Sequence, residues 1–316
     1  MREFDIIYRH FARSEDHPRW VKKGIGDDGA LLTVSPGQEL VVVTDTSVSG
    51  VHFKRNQPPD SLGYRSLAVN LSDIAAMGAI PKWATLNLTL EAADAKWIEQ
   101  FAMGFFRLAD ESGCPLVGGD TTAGPLSVTV TVGGEVAEGQ ALLRSGARPG
   151  DLIFVSGRLG GAAAALALAE RKSSESLQLA FDYPKPQIAL GIALSQLASS
   201  AIDLSDGLMA DLGHILHASG DLGATIDIGK IPLYAEAIAL LGYPRAMTLA
   251  LSGGDDYELC FTAPPTKHDA VSKLQEPLGV EIHCVGQVTP AGGCRLIGDA
   301  TGLGDLKGFE HRWESV

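Results

Sequence analysis

Six short stretches of this 316-residue chain set carboxylates among glycines, serines and threonines: Gly26-Asp27-Asp28-Gly29, Thr44-Asp45-Thr46, Ser72-Asp73, Gly118-Gly119-Asp120-Thr121, Asp203-Leu204-Ser205-Asp206-Gly207 and Gly253-Gly254-Asp255-Asp256. Any one of these acids could simply form a turn. Six of them point to a shared chemistry. Oxygen-only sites of this kind suit hard cations such as Mg²⁺, which is held by one or two carboxylates together with substrate phosphates. The first expectation is metal-dependent phosphoryl transfer.

Other chemistries fit less well. Gly24-Ile25-Gly26-Asp27-Asp28-Gly29 matches the G-x-G-x-x-G spacing of dinucleotide folds, but its acids would repel a bare phosphate and no clear strand is expected before it. The P-loop pattern is absent. His214 and His217 lie three apart on an expected helix, yet no further His or Cys has a spacing that would complete a metal site with them. Cys114, Cys260, Cys284 and Cys294 are scattered and show no local signature of a nucleophile, and Cys260 reads as strand core. No covalent nucleophile or general base is expected.

The elements that must position the acids follow from periodicity. Leu40-Val41-Val42-Val43 reads as a buried strand with Thr44-Asp45 at its carboxyl end, where α/β folds place ligands. Ser61 to Gly78 has helical spacing, and its apolar neighbours make burial of Asp73 plausible. Ala84 to Leu90 alternates as a strand, Asp94 is placed to cap the next helix and Gly113 to stop it, and Leu126 to Val136 alternates again. The segment from Glu138 to Gly150 reads as a linker, giving domains at 1–138 and 139–316. In the second domain strands are expected at Leu152–Ser156, Ala224–Ile228, Tyr257–Thr262 and Val280–Val288. Helices are expected from Gly157-Arg158-Leu159-Gly160-Gly161, from Pro186 to about Ser200, over Gly207–Ser219 and over Lys267–Glu276.

Composition bounds the partners. A formal charge of −13 without a basic run excludes a nucleic-acid or anionic-membrane surface. It also means that anionic substrates reach an acidic site only with cations present. Scattered cysteines, a charged stretch from Met1 to Arg13 that reads as a short amphipathic helix, and the lack of an apolar run of membrane-spanning length predict a reduced, cytoplasmic protein.

Read together in chain order, Gly24-Ile25-Gly26-Asp27-Asp28, Thr44-Asp45-Thr46, His52-Phe53, Val69 to Gly78, Gly118-Gly119-Asp120-Thr121-Thr122, Arg144-Ser145-Gly146, Ile202 to Leu208 and Leu251 to Leu259 resemble the thiamine-monophosphate kinase family. The resemblance spans nearly the whole chain. It implies an α/β and α+β, two-domain aminoimidazole ribonucleotide synthetase-like fold. In that fold the N-terminal sheet carries helices on one face and joins a partner's sheet in a homodimer, and an α+β C-terminal domain covers the ATP cleft. The implied reaction is phosphorylation of thiamine phosphate to thiamine diphosphate by ATP, with several Mg²⁺ ions. Position by position, it implies Asp28, the Val43 carbonyl, Thr44, Asp45, Asp73, Asp120, Asp203 and Asp206 as metal ligands. Gly119, Asp120, Arg144 and Ser205 would contact ATP, and His52, Asp255 and Phe309 the thiamine phosphate. One position departs: the family more often carries Glu where Asp255 stands, so the carboxylate reaches one methylene less far. Another ATP-dependent synthetase of the same superfamily, or a non-catalytic nucleotide or metal sensor, remain the alternatives at this point.

Overall fold

A computed structural model describes residues 2–13, 18–168, 174–290, 292–304, 306 and 308. They fall into two compact units, one drawn from Met1–Ile74 with Ala79–Gly139 and the other from Ala75–Gly78 with Gln140–Val316.

In the N-terminal unit, helix α1 (Glu3–Ile6) runs into a wider helical turn at Ile7–Phe11. The short pair β1 (Val21–Lys23) and β2 (Leu31–Leu32) follows, then β3 (Gln38–Val48), α2 (Pro59–Ala76), β4 (Ile80–Leu90), α3 (Ala95–Ser112), β5 (Leu116–Ala123) and β6 (Ser127–Ala137). The larger sheet has the order β3-β6-β4-β5, with β4 and β5 parallel and the other pairs antiparallel. Asp94 caps α3 by accepting the Lys96 and Trp97 amides, and Gly113 ends it with φ of 63°. Leu67, Leu71, Ile74, Ile98, Phe101 and Phe105 of α2 and α3 are completely buried, as are Leu88, Val130 and Val132 of the sheet to within 1%. Each such side chain contributes about 1.5–3 kcal/mol.

Four sequence readings need correction here. The strand around Leu40–Val43 continues to Val48, so Thr44 and Asp45 lie inside it. It is also not buried on both sides: Val41 is covered, while Leu40 and Val42 are 46% and 55% exposed, because this edge strand turns one face to solvent. Gly118-Gly119-Asp120-Thr121 is strand, not turn, since parallel pairing with β4 supplies the hydrogen bonds that such a glycine-rich stretch does not advertise. A short strand, Val21–Lys23, does precede the Gly24–Gly29 segment. It pairs antiparallel with Leu31–Leu32, so that segment is a hairpin loop without a helix behind it, and the dinucleotide reading fails for that reason.

The C-terminal unit contains β7 (Leu152–Ser156), α4 (Gly161–Ala167), α5 (Glu175–Asp182), α6 (Ile188–Leu194), β8 (Ser200–Asp203), α7 (Leu208–Ala218) and β9 (Gly223–Asp227). It continues with α8 (Ala235–Leu241), α9 (Tyr243–Ser252), β10 (Leu259–Ala263), α10 (His268–Ser272), α11 (Gln275–Leu278), β11 (Ile282–Thr289) and β12 (Gly293–Ile297). Its sheet order is β12-β9-β11-β7-β10-β8, antiparallel except for β12 with β9. Strand alternation sends Ile153, Val155, Ile202 and Cys260 into a core with α7 and α9. The residues between them, Phe154, Ala201, Leu259 and Phe261, enter a second core with α6 and α10. Phe154 and Phe261 stack there with centroids 5.2 Å apart. The helix expected from Pro186 to Ser200 is shorter, because the chain turns at Ser195–Ser199 to enter β8.

Among the described residues no helix is long and apolar enough to cross a membrane.

Candidate active site

The acids of the N-terminal unit form two groups. In the first, Asp45 of β3 and Asp73 of α2 are joined by a side-chain hydrogen bond, with His52 near enough to act on Asp45 by its charge. Strand alternation explains the meeting: Leu40, Val42, Thr44, Thr46 and Val48 share the open face, so Asp45 points with Val41 toward the helices. Desolvation by the surrounding chain raises the Asp45 pKa, while the Asp73 hydrogen bond and the His52 charge oppose the rise. The Thr44 hydroxyl lies on the opposite face, 2.9 Å from that of Thr131 and 3.2 Å from the Val130 carbonyl. His52 accepts the Val48 amide through Nδ1 at 3.1 Å, which fixes its ring.

The second group borders a cavity of about 580 Å³, lined by Phe4, Tyr8 and Phe11 on one side and by Asp28, Gly119 and Asp120 on another. Gly119 has φ of 146°, and a Cβ there would overlap the Leu86 backbone, so only glycine lets β5 lie this close to β4.

In the C-terminal unit Asp203 ends β8, almost fully buried, and the turn Leu204–Gly207 carries Ser205 and Asp206 into α7. Asp211, one turn into that helix and 1% exposed, accepts the Asp206 and Gly207 amides at 3.1 Å each. Burial pushes its pKa up to about 7; the two amides oppose this, and the charges of Asp203 and Asp206 add to it. Sequence reasoning missed this supporting residue. Its signal was an acid in the first turn after Asp-Gly, where helix amides need acceptors. Against the same turn packs Gly253–Tyr257: a Cβ on Gly254 would strike the Ser205 carbonyl oxygen. Asp255 is half-buried there, and Arg144 is exposed. Gly308 lies against Asp206 and Ala210. Phe309, the third residue assigned to thiamine phosphate, lies outside the described residues.

Among the described residues no three His, Cys, Asp or Glu side chains converge on one point as a preformed metal cage. The acids occur instead as close pairs such as Asp45 with Asp73. That suits Mg²⁺, which takes one or two carboxylates and fills its remaining positions with water and phosphate oxygens.

The chain matches the model of AIR synthase related protein, N-terminal domain, over residues 26–136 and that of AIR synthase related protein, C-terminal domain, over residues 148–299. It is 46% identical to thiamine-monophosphate kinase of Escherichia coli strain K12 over 319 aligned positions, covering 98% of each chain. The chain belongs to the thiamine-monophosphate kinase family. Among solved structures of that family, thiamine-monophosphate kinase from Stenotrophomonas maltophilia K279a superposes with a TM-score of 0.85 at 45% identity, covering 90% of this chain and 93% of its own. AaThiL complexed with AMPPCP and TMP superposes at 0.77 with 30% identity, covering 89% of each.

Proposed function

We propose that this protein is an ATP-dependent thiamine-phosphate kinase that transfers the γ-phosphoryl group of ATP to the phosphate of thiamine phosphate, giving ADP and thiamine diphosphate. The observation that carries the reading is the 46% identity to a thiamine-monophosphate kinase over nearly the full length of both chains. The relative bound to AMPPCP, a methylene analogue of ATP, and TMP gives it independent support.

The acceptor needs little activation. A phosphate monoester has a second pKa near ~6, so its attacking oxygen is already largely anionic at neutral pH, and no general base is assigned. Repulsion is the obstacle. Two unit charges at about 4 Å repel by about 4 kcal/mol at an effective dielectric of ~20, and both substrates carry several. Bound Mg²⁺ would supply the compensating charge.

Asp45 and Asp73 would hold cations in the N-terminal unit, since the two carboxyls, one from β3 and one from α2, meet there. Asp28 and Asp120 at the cavity, with the Val43 carbonyl and Thr44 on β3, are assigned as further ligands. Asp203 and Asp206 would serve in the C-terminal unit, on a turn that Asp211 holds in place through the Asp206 and Gly207 amides. Gly119, Asp120, Arg144 and Ser205 are assigned to ATP, and Arg144 offers an exposed guanidinium for its phosphates. His52, Asp255 and Phe309 are assigned to thiamine phosphate, whose thiazolium cation and amino group both suit a carboxylate. The protein's task is then orientation and charge compensation in an in-line displacement.

We also assign a second copy of the chain to the open face of the β3-β6-β4-β5 sheet, where Leu40 and Val42 stand exposed together. A homodimer in sedimentation that dissociates on Val42→Lys tests this. The domain division at 1–138 and 139–316 and a cytoplasmic location accompany the reading.

The direct test incubates purified protein with ATP, Mg²⁺ and thiamine phosphate and follows thiamine diphosphate. Formation of thiamine diphosphate is expected. Its absence, or a preference for free thiamine as acceptor, would overturn the proposal.

A further inference from the structure

Two residues of the turn that follows Gly254 are held in backbone conformations that side chains disfavour. Asp255 has φ of 72° and Tyr257 φ of 52°, both in the left-handed region. Aspartate tolerates that region, whereas a bulky ring in it is an outlier. Such conformations persist only where the surroundings impose them, and they gather at ligand clamps.

Here three anchors impose them. The Asp255 amide donates to the Ser205 carbonyl at 2.9 Å, and the Tyr257 amide donates to the Leu204 carbonyl at 2.8 Å. Between them the Asp256 carboxylate takes the Gly160 amide at 2.9 and 3.0 Å. With Asp256 turned toward Gly160, the side chains on either side of it meet: Tyr257 Oη donates to Asp255 Oδ1 at 3.0 Å. The tyrosine is only 8% exposed, so its hydroxyl is a fixed donor and not a swinging one.

A carboxylate that is oriented before its ligand arrives loses less freedom on binding than one that is not. We propose that Tyr257 is a positioning residue for the acceptor substrate, its hydroxyl holding the Asp255 carboxylate in the orientation that meets thiamine phosphate. Tyr257 itself touches no substrate. The inference rests on the assignment of Asp255 to thiamine phosphate made above, and it adds a second residue on which acceptor affinity depends. Because both residues are tied by backbone to the Leu204–Ser205 turn, the aspartate cannot recover its aim by moving the loop.

The test is a double-mutant cycle on the full chain, with Tyr257→Phe, Asp255→Ala and both together, read as steady-state kcat and KM for each substrate. Phe keeps the ring and its backbone preference and removes one oxygen. Tyr257→Phe should raise KM for thiamine phosphate about fivefold while kcat and KM for ATP stay within about twofold of the wild type. Asp255→Ala should raise KM for thiamine phosphate about tenfold or more, the order expected for one charge-assisted hydrogen bond. The double variant should match Asp255→Ala alone, because the hydroxyl acts only through the carboxylate. If Asp255→Ala raises KM and Tyr257→Phe does not, or if the two effects multiply, the positioning role is wrong and the Asp255 assignment stands. If Asp255→Ala leaves KM for thiamine phosphate unchanged, the Asp255 assignment fails and takes the Tyr257 role with it.

Discussion

The Asp45 carboxyl on β3 is hydrogen-bonded to the Asp73 carboxyl on α2. Two carboxyls brought together repel when both are ionised, and a divalent cation between them would offset that charge. Asp73→Asn keeps the shape and removes one negative charge. Turnover should fall at least ~10²-fold, as for loss of a major electrostatic element. The folded state should survive, and Mg²⁺ should raise the thermal midpoint of the wild type more than that of the variant. Near-normal turnover of the Asn variant at low millimolar Mg²⁺ would remove Asp73 from the metal site.

Gly119 should resist substitution for a reason separate from chemistry. With φ of 146° and the Leu86 backbone where a Cβ would go, Gly119→Ala must push β5 away from β4 or strain its own backbone. A loss of about 1–3 kcal/mol in urea unfolding is expected, with a higher KM for ATP. An alanine variant as stable as the wild type would show that the two strands part without cost.

Transfer should pass directly from one substrate to the other. Burial pushes the Cys114 thiol up to about 12 and raises that of Cys260, so neither forms a ready nucleophile at neutral pH. Protein incubated with γ-labelled ATP alone should carry no label, and ADP should appear only when both substrates are present. Labelled chain or ping-pong kinetics would contradict this.

Glu258 ties stability to pH. Burial pushes its pKa from an ordinary 4.5 up to about 7, against the hydrogen bonds of Ser156 and Gln187. Below the ordinary value both folded and unfolded chains hold the proton. Between there and about 7 the unfolded chain has lost it and the folded chain keeps it, so this group's contribution is full at low pH and is lost as pH rises to neutrality, by about 3 kcal/mol in all. Glu258→Gln imitates the protonated form. Its thermal midpoint relative to the wild type should therefore improve between about pH 5 and about pH 8. An unchanged difference would mean that Glu258 is ionised in the folded protein throughout.

Local signals carried much of the architecture. Asp94 and Gly113 bracketed their helix in the sequence, as the structure has it, because caps depend on neighbours a few residues away. The strand through Gly118-Gly119 was not legible, since two glycines read as a turn until β4 supplies a parallel partner. Helices α8 and α9 were missed for a related reason: Gly242 and Pro244 look like loop residues, and here they separate and start two short helices. At the candidate site the residue types were readable one by one. Their pairings were not, because Asp45 meets Asp73, and Gly254 meets Ser205, only through tertiary packing.

Strand β3 runs beside β6 without a bulge, residue for residue from Gln38 opposite Ala137 to Val48 opposite Ser127. Each position therefore inherits its side of the sheet from a simple count, and Thr44 and Asp45 face opposite ways only because they are neighbours. Loss or gain of a single residue between Gln38 and Asp45 would exchange the two, leaving an alcohol beside Asp73 and a charge on the open face. Length changes are tolerable in the loops before and after this strand and not within it. In this segment of the chain, spacing is as much a functional property as the identity of any acid.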